Sequence, residues 1–480
     1  MSFIRKLFHT KPLNHYVTEE HNLRRCLTAT DLTMLGVGAI IGAGIFVLTG
    51  IAAAVLAGPA IIFSYILAGL ACAFCALAYA EFASSVGGCG SAYGYAYASL
   101  GEIVAWIIGW DLLLEYGMDA ATVSIGWSGY VQEALRAVGI TLPKVLLTDP
   151  FHGGIMNVPA VLVIFVLAAI LCLGSKESAR FNKIVVFIKL SVIALFIAIG
   201  LFNFNPENWK PFLPFGVKGI VNGAGLIFFA FIGFDAVSTA AEESIRPQRD
   251  VPIGIIASLL ICTVIYIVFA AVLTGMMHFT LLNVTSPVAN ALIHLGYKLS
   301  AEVISLGAIA GLTTVILVML FGASRVFLAM SRDGLLPKVF NKMDDKTQTP
   351  RRIIWSLAAI MAINAGFLPI SQIADLVNIG TLAAFIVVCA GVIVLRYTRP
   401  NLPRTFRTPW CPLVPSLGVI LCFYLMLSLP AITWISFGLW TVLGFVIYFA
   451  YGRRNSLLYK ELYENGHSEI PAFAPSTGSN

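Results

Sequence analysis

Charged side chains are scarce in this sequence: Asp, Glu, Lys and Arg make up 11% of its 480 residues, against roughly 25% in a typical soluble protein. Soluble enzymes, disordered chains and coiled coils all need more charge facing water, so each is excluded. Histidine is also scarce. The seven (His9, His15, His21, His152, His278, His294, His467) fall outside the apolar stretches or at their ends, none at metal-ligand spacing. That argues against a membrane-embedded acyltransferase or protease and against a bound metal. No lysine follows a glycine, so a Walker A motif is absent and no use of ATP is expected. The nine cysteines form no framework: the count is odd, and Cys72, Cys75, Cys172, Cys262, Cys389 and Cys422 sit inside apolar segments. Cys72-x-x-Cys75 lies mid-helix without a second pair or a nearby His and reads as small packing residues. The first thirty residues carry Arg5, Lys6, Lys11, Arg24 and Arg25 and lack an apolar core, so no cleaved signal peptide is expected.

What fills the chain instead is apolar: 59% of residues, with a mean hydropathy of +0.88. A spanning helix needs about 20 predominantly apolar residues, and such stretches lie near 31–55, 59–85, 100–130, 157–174, 182–203, 219–242, 251–277, 301–330, 352–368, 374–396, 413–430 and 432–452. Runs this long and continuous are helices, because only helices or closed barrels satisfy the backbone in lipid. The expectation is an all-α integral membrane protein with 12 transmembrane helices, both termini on one side of a cell membrane. Loop charge gives that side. With the termini inside, cytoplasmic segments hold 23 of the 30 Lys and Arg, external ones only Arg136, Lys144, Lys210, Lys218 and Lys298. The net charge of +6 is thus spread over short loops, with no basic face for nucleic acid. The longest external loops are 137–156 and 278–300; the second contains Pro287-Val-Ala-Asn, the start of a possible short surface helix. Residues 466–480, rich in Gly, Ser and Pro, read as a disordered part of a cytoplasmic tail at 453–480.

Two segments are poor recipes for a continuous helix. Leu35-Gly-Val-Gly-Ala-Ile-Ile-Gly-Ala-Gly-Ile-Phe46 places Gly36, Gly38, Gly42 and Gly44 in one span, at a cost of about 1 kcal/mol each relative to Ala. Gly38 and Gly42 form a GxxxG helix-packing face on one reading. On the other, the helix breaks at Gly42–Gly44, leaving N–H donors that suit a carboxylate. The sixth span contains Phe228-Phe-Ala-Phe-Ile-Gly-Phe-Asp-Ala-Val-Ser-Thr239, with Gly233 at mid-span and an acid, Asp235, beside it. Residues 31–203 and 219–396 each hold five spans, so as repeats they have opposite topology. Ile41-Gly42-Ala43 then corresponds to Ile232-Gly233-Phe234. Paired interruptions of this kind point to a transporter binding site.

At these residues the sequence closely resembles the amino acid–polyamine–organocation (APC) superfamily, in particular bacterial members of the cationic amino acid transporter (CAT) family. The resemblance is carried by Asp31 through Phe46, Tyr79-Ala-Glu-Phe82, Gly90-Ser-Ala-Tyr93, Gly109-Trp-Asp-Leu-Leu-Leu-Glu-Tyr116, Phe229 through Thr239, Arg246-Pro-Gln-Arg-Asp-Val-Pro-Ile-Gly254 and Ser331-Arg-Asp-Gly-Leu-Leu-Pro337. It implies a LeuT-like fold: inverted repeats at 31–203 and 219–396, two extra helices within 413–452, helices 1 and 6 broken, and a cytoplasmic N-terminus at 1–30. It also implies amino acid transport by alternating access, without ATP or another cofactor. Carried over by residue, the substrate carboxylate meets helix 1 around Ile40, Gly42, Ala43 and Gly44. The α-amino group meets carbonyls of helix 6 at Phe229, Ala230 and Ile232, beside Gly233. Position 43 is often Ser or Thr in relatives; Ala43 leaves only backbone contacts there. Met319 matches a bulky pocket position and disfavours long cationic side chains, which points to small neutral or apolar amino acids such as alanine.

Charges inside the spans complete the reading. Lys189, flanked by Val185-Val-Phe-Ile and Leu190-Ser-Val-Ile, lies about 10 Å from the cytoplasmic start of its helix, where a lysine can snorkel. The resemblance gives it another role: its ammonium stands where sodium sits in sodium-coupled relatives, and the proton is the coupling ion. Asp111, Glu115 and Asp119 form a stripe at i, i+4, i+8. Glu115 matches the family motif and is the expected proton-relay partner, whereas Asp119 departs from the neutral residue of close relatives and is expected near the external vestibule, biasing substrate charge. Asp235 is assigned to the intracellular gate, with Glu242 or an Arg, and Arg325 to a structural or gating role. The rival function on the same fold is an amino acid or polyamine exchanger, or uptake of cationic amino acids; a channel fits paired broken helices less well. Sequence leaves open the oligomeric state and any small membrane subunit.

Overall fold

The computed structural model describes residues 8–11, 23, 25–86, 91–137, 139–284, 286–368, 370–427, 429 and 431–463. Among these the chain is all-helical, with no strand and one isolated bridge between Leu27 and Ser244. The expected disordered stretch 466–480 lies outside the described residues.

α1 (Ala29–Ile40) starts where Thr28 and Asp31 cap each other. Thr28 Oγ1 accepts the Asp31 amide at 3.3 Å and Asp31 Oδ2 accepts the Thr28 amide at 3.0 Å, satisfying two donors that the helix start leaves open. After a bend at Ile41 and Gly42 the helical path resumes through Gly44–Leu48, Thr49–Ala52 and Ala53–Ala57. α2 (Ile61–Ser85), a short helix Ala92–Ser99 and α3 (Glu102–Ala137) follow. α4 (Val158–Leu171) is capped by Asn157, whose side chain accepts the Ala160 amide. Next come α5 (Ser175–Phe202), α6 (Gly216–Ile227) with its continuation Ala236–Thr239, and α7 (Pro247–Met276), which begins on a proline where no N–H is needed. α8 (Lys298–Arg332), α9 (Arg351–Phe367), α10 (Ile370–Thr398), α11 (Leu413–Leu427) and α12 (Ala431–Ile447) complete the bundle. The helix anticipated at Pro287 is present as Pro287–His294 and packs where Gly50 leaves room: a Cβ there would stand 2.4 Å from the Pro287 ring.

Among the described residues, seven stretches are long and apolar enough to cross a membrane: Ala29–Ser85, Ser175–Phe202, Gly216–Thr239, Pro247–Met276, Lys298–Arg332, Leu376–Thr398 and Ala431–Asn455; α4 and α11 are apolar but shorter. α3 carries Glu102, Asp111, Glu115 and Asp119, more acids than a lipid-facing segment tolerates, and all four are buried inside the bundle. α12 is the opposite. Ile432, Ile435, Leu439, Val442 and Val446 recur along it and are all exposed, an apolar stripe suited to lipid. These features make a multi-pass membrane protein.

α8 packs along α3, and α7 along α1 and α2. The described residues 8–11 and the segment that follows α12 converge at one end of the bundle. The Lys11 amide donates to the Tyr97 carbonyl at 3.1 Å and its Nζ to Asp333 Oδ1 at 2.8 Å, while the Leu457 amide donates to the Asp333 carbonyl at 3.0 Å. Beside them, Glu102 receives the hydroxyls of Tyr97 and Tyr448, each at 2.8 Å, and that of Ser456. The cysteines described are free thiols; Cys75 lies 3.5 Å from Cys422, not across the CxxC spacing.

Candidate functional site

Two interrupted helices meet in the middle of the bundle. α1 ends at Ile40, and Ile41 takes an extended conformation (ψ 99°) before the path resumes at Gly44. α6 ends at Ile227, tightens into one 3-10 turn at Phe228–Phe231, and turns at Gly233, whose φ of +115° only glycine adopts without strain. The glycines also allow contact: a Cβ on Gly44 would stand 2.3 Å from Ala230 Cβ, and one on Gly233 would stand 2.8 Å from Ala39 Cβ and 3.0 Å from Met319 Cε. Gly36 and Gly38 serve close packing instead, against Ser258 and Asn182. The first span therefore combines both readings of its glycines, packing in its first half and interruption in its second.

Ile40, Gly42, Ala43, Gly44, Phe229, Ala230, Ile232, Gly233 and Met319 are thus brought together from three helices. The amides of Gly42, Ala43, Gly44 and Ile45 make no hydrogen bond among the described residues, so donors stand open where a helix begins. On the facing side, the Tyr266 hydroxyl lies 2.7 Å from the Ile40 carbonyl and 2.8 Å from the Ala230 carbonyl, tying the two breaks together. Ala43 and Phe229 are half-buried while their neighbours are sealed. Open N–H groups at a helix start are the kind of donors that a carboxylate accepts from.

Lys189 does not snorkel. It is fully buried, and its Nζ donates to the Gly38 carbonyl at 3.0 Å, the Ile41 carbonyl at 2.9 Å and Thr314 Oγ1 at 2.9 Å. Two of these acceptors are the last carbonyls of α1, the negative end of its dipole. Thr314 Oγ1 also reaches the Gly38 carbonyl at 2.9 Å, so α5, α8 and the end of α1 are joined at one point.

The acids of α3 and α6 arrange differently from expectation. Asp235 does not pair with Glu242 or an arginine: it accepts a short hydrogen bond from Tyr116 of α3. The turn at Gly233 aims it back at α3, whereas Glu242 lies two turns on and receives Arg332 at 2.8 Å. Arg325 is fully buried and pairs with Glu243 at 2.6 Å, with further hydrogen bonds to Ser324 and Ser175. Glu115 is sealed inside the bundle, beside the Thr381 hydroxyl of α10 and near the carboxyl group of Asp235. Asp111 has no hydrogen-bond partner among the described residues and lies against Gly380 of α10. Tyr116, Tyr266 and Thr314 were not singled out from sequence. Polar side chains of this kind are common in membrane helices, and only the fold shows what each touches.

The profile of a family described as "Amino acid permease" fits residues 27–450. The chain belongs to the amino acid permease family. Relatives spanning nearly their whole length include the "Methylthioribose transporter" of Bacillus subtilis, 47% identical over 95% of this chain and 99% of the relative. The "Branched-chain amino acid permease BcaP" of the same organism is 48% identical over 92% of this chain and 95% of its own. The vacuolar "Cationic amino acid transporter 4" of Arabidopsis thaliana is 36% identical over 79% and 65%. The permease is therefore an APC-superfamily transporter rather than an enzyme, as its motifs suggested.

Proposed function

We propose that this permease is a proton-coupled amino acid symporter of LeuT-like fold, working by alternating access with both termini cytoplasmic. The observation that carries the reading is Lys189. Its ammonium has three N–H donors and meets three acceptors, two of them carbonyls at the break of α1. A neutral amine has only two donors, so deprotonation frees one acceptor and removes the positive charge from the end of the α1 dipole. Proton loss therefore loosens the first half of helix 1 from α5 and α8, and proton gain restores it. Substrate occupies the adjoining break, so proton and substrate act on the same backbone. Glu115, which matches the family motif, is the proton-relay partner we infer for Lys189.

The substrates we infer are small neutral or apolar amino acids. Met319 closes the space over Gly233, and a relative of similar length is named for branched-chain amino acids. The test is uptake of labelled alanine and leucine into liposomes under an inward proton gradient without sodium. We expect accumulation that collapses with a protonophore and is lost in Lys189→Ala. Uptake indifferent to the gradient but stimulated by internal amino acid would replace symport with exchange.

A further inference from the structure

The loop between α10 and α11 is wound onto the end of α2. Thr408 donates its amide to Glu81 Oε2 at 2.8 Å and its hydroxyl to the Leu77 carbonyl at 2.9 Å, and the Phe406 amide donates to Ser84 Oγ at 3.3 Å. Arg396 grips Glu81 through Nε and Nη2, each at 2.8 Å, and Arg404 reaches the same carboxylate at 3.2 Å. Two arginines thus share one acid, and Arg407 adds a third positive charge near Arg404. Arg407 is exposed, with no ion pair among the described residues.

With Phe406 and Thr408 both tied to α2, Arg407 between them projects outward. Trp410 follows three residues on, its Cα at most about 11 Å from that of Arg407, and it is 80% exposed. Its φ of +43° lies in the left-handed region, where a bulky residue is an outlier. An exposed ring kept on an unfavourable backbone points to a use for its position. The Val414 amide donates to the Trp410 carbonyl at 3.3 Å, so Trp410 leads directly into α11. Along α11, Leu413, Ile420, Tyr424 and Leu427 are exposed and share one face, a stripe suited to lipid. Trp410 stands at the end of that stripe, where tryptophans mark the border between acyl chains and water. Arg407 lies on its aqueous side.

We propose that Arg407 and Trp410 form a binding site for one anionic phospholipid, away from the breaks of helices 1 and 6. The Arg407 guanidinium donates to the phosphate oxygens, the Trp410 ring packs beside the glycerol, and the acyl chains lie along the exposed stripe of α11. Charge selects this occupant. A guanidinium matches a phosphate in shape and sign. Three arginines on one glutamate keep a surplus of positive charge, which a headgroup of net negative charge neutralises. A zwitterionic headgroup brings its own cation to the same place and gains less. Free phosphate lacks the chains that α11 receives.

The test is native mass spectrometry of the full-length protein released from detergent, titrated with phosphatidylglycerol or with phosphatidylcholine of the same chains. We expect one phosphatidylglycerol to be retained about fivefold or more tightly than phosphatidylcholine, and Arg407→Gln to lower its affinity by about fivefold. Arg407→Lys should keep part of the preference, and Trp410→Ala should weaken both lipids alike. Lys342, exposed on the loop after α8, is the control for surface charge in general: Lys342→Gln should leave the binding unchanged. Gel filtration shows whether each variant is folded, and Arg407→Lys decides the matter if Arg407→Gln is not. Equal affinity for the two lipids in the wild type overturns the proposal, as does an Arg407→Gln variant that binds like the wild type or loses no more than Lys342→Gln. Displacement of the lipid by an equal concentration of soluble glycerol phosphate would overturn the lipid as occupant and leave a site for free phosphate.

Discussion

Lys189 and the glycines of the two breaks are single residues whose replacement has calculable local consequences. A charge at the centre of a membrane helix costs about 2.5–3.5 kcal/mol on insertion scales; here three charge-assisted hydrogen bonds offset it. Gly44 has no such latitude, since any Cβ would stand 2.3 Å from Ala230 Cβ and 2.5 Å from its backbone Cα, neither of which moves without the chain. Gly44→Ala is expected to push helices 1 and 6 apart and to lower alanine uptake at least about tenfold, while the protein still inserts and elutes as folded; wild-type uptake would contradict the close approach. Gly129 is the contrasting position, exposed on α3 with nothing within 4 Å of a Cβ. Gly129→Ala should raise thermal stability by about 0.5–1 kcal/mol through helix propensity alone, read from the melting temperature. Sequence made these positions visible because a lysine in an apolar run and clustered glycines in a span are both costly. What it could not show is the partner: the acceptors of Lys189 come from chain positions 38, 41 and 314, brought together only by folding.

Among elements, α8 connects the candidate site to the end of the bundle where Lys11 and Leu457 meet Asp333. Met319 faces the break of helix 6, Arg325 is sealed against Glu243, and Arg332 and Asp333 hold Glu242 and Lys11. The Arg325–Glu243 pair is wholly buried, so removing one partner leaves a bare charge. Arg325→Met is expected to cost about 3–5 kcal/mol in thermal or denaturant unfolding, and Arg325→Met with Glu243→Leu to recover most of that. Equal stability of the single and double variants would contradict the pairing. The terminal clasp makes a different prediction. Lys11→Ala removes the contact of a strap to Asp333 and should speed amide hydrogen exchange over 93–102 while leaving the middle of α8 unchanged. The apolar stretches were legible from hydropathy, whereas the caps Thr28 and Asn157 came from the structure. The partner of Asp235 was not. Sequence places Asp235 seven residues before Glu242 and near several arginines, but the positive φ of Gly233 turns it across to Tyr116 instead.

For the molecule as a whole, composition decided the class: an 11% charge content leaves too little polar surface for a soluble chain. The buried acids of α3 and the exposed apolar stripe of α12 show the inside-out distribution that lipid requires. Coupling needs proton and substrate to act on one movable part, and in the proposed mechanism that part is the first half of helix 1: its last carbonyls hold Lys189 and its break adjoins the proposed substrate space. The most direct measurement follows both species at once. Liposomes containing the protein, with a pH-sensitive dye inside and no gradient imposed, are given external alanine. Symport through Lys189 predicts that the lumen acidifies as alanine enters and that Lys189→Ala abolishes the acidification. Alanine entry with no change of internal pH, or an equal change in the variant, would contradict it.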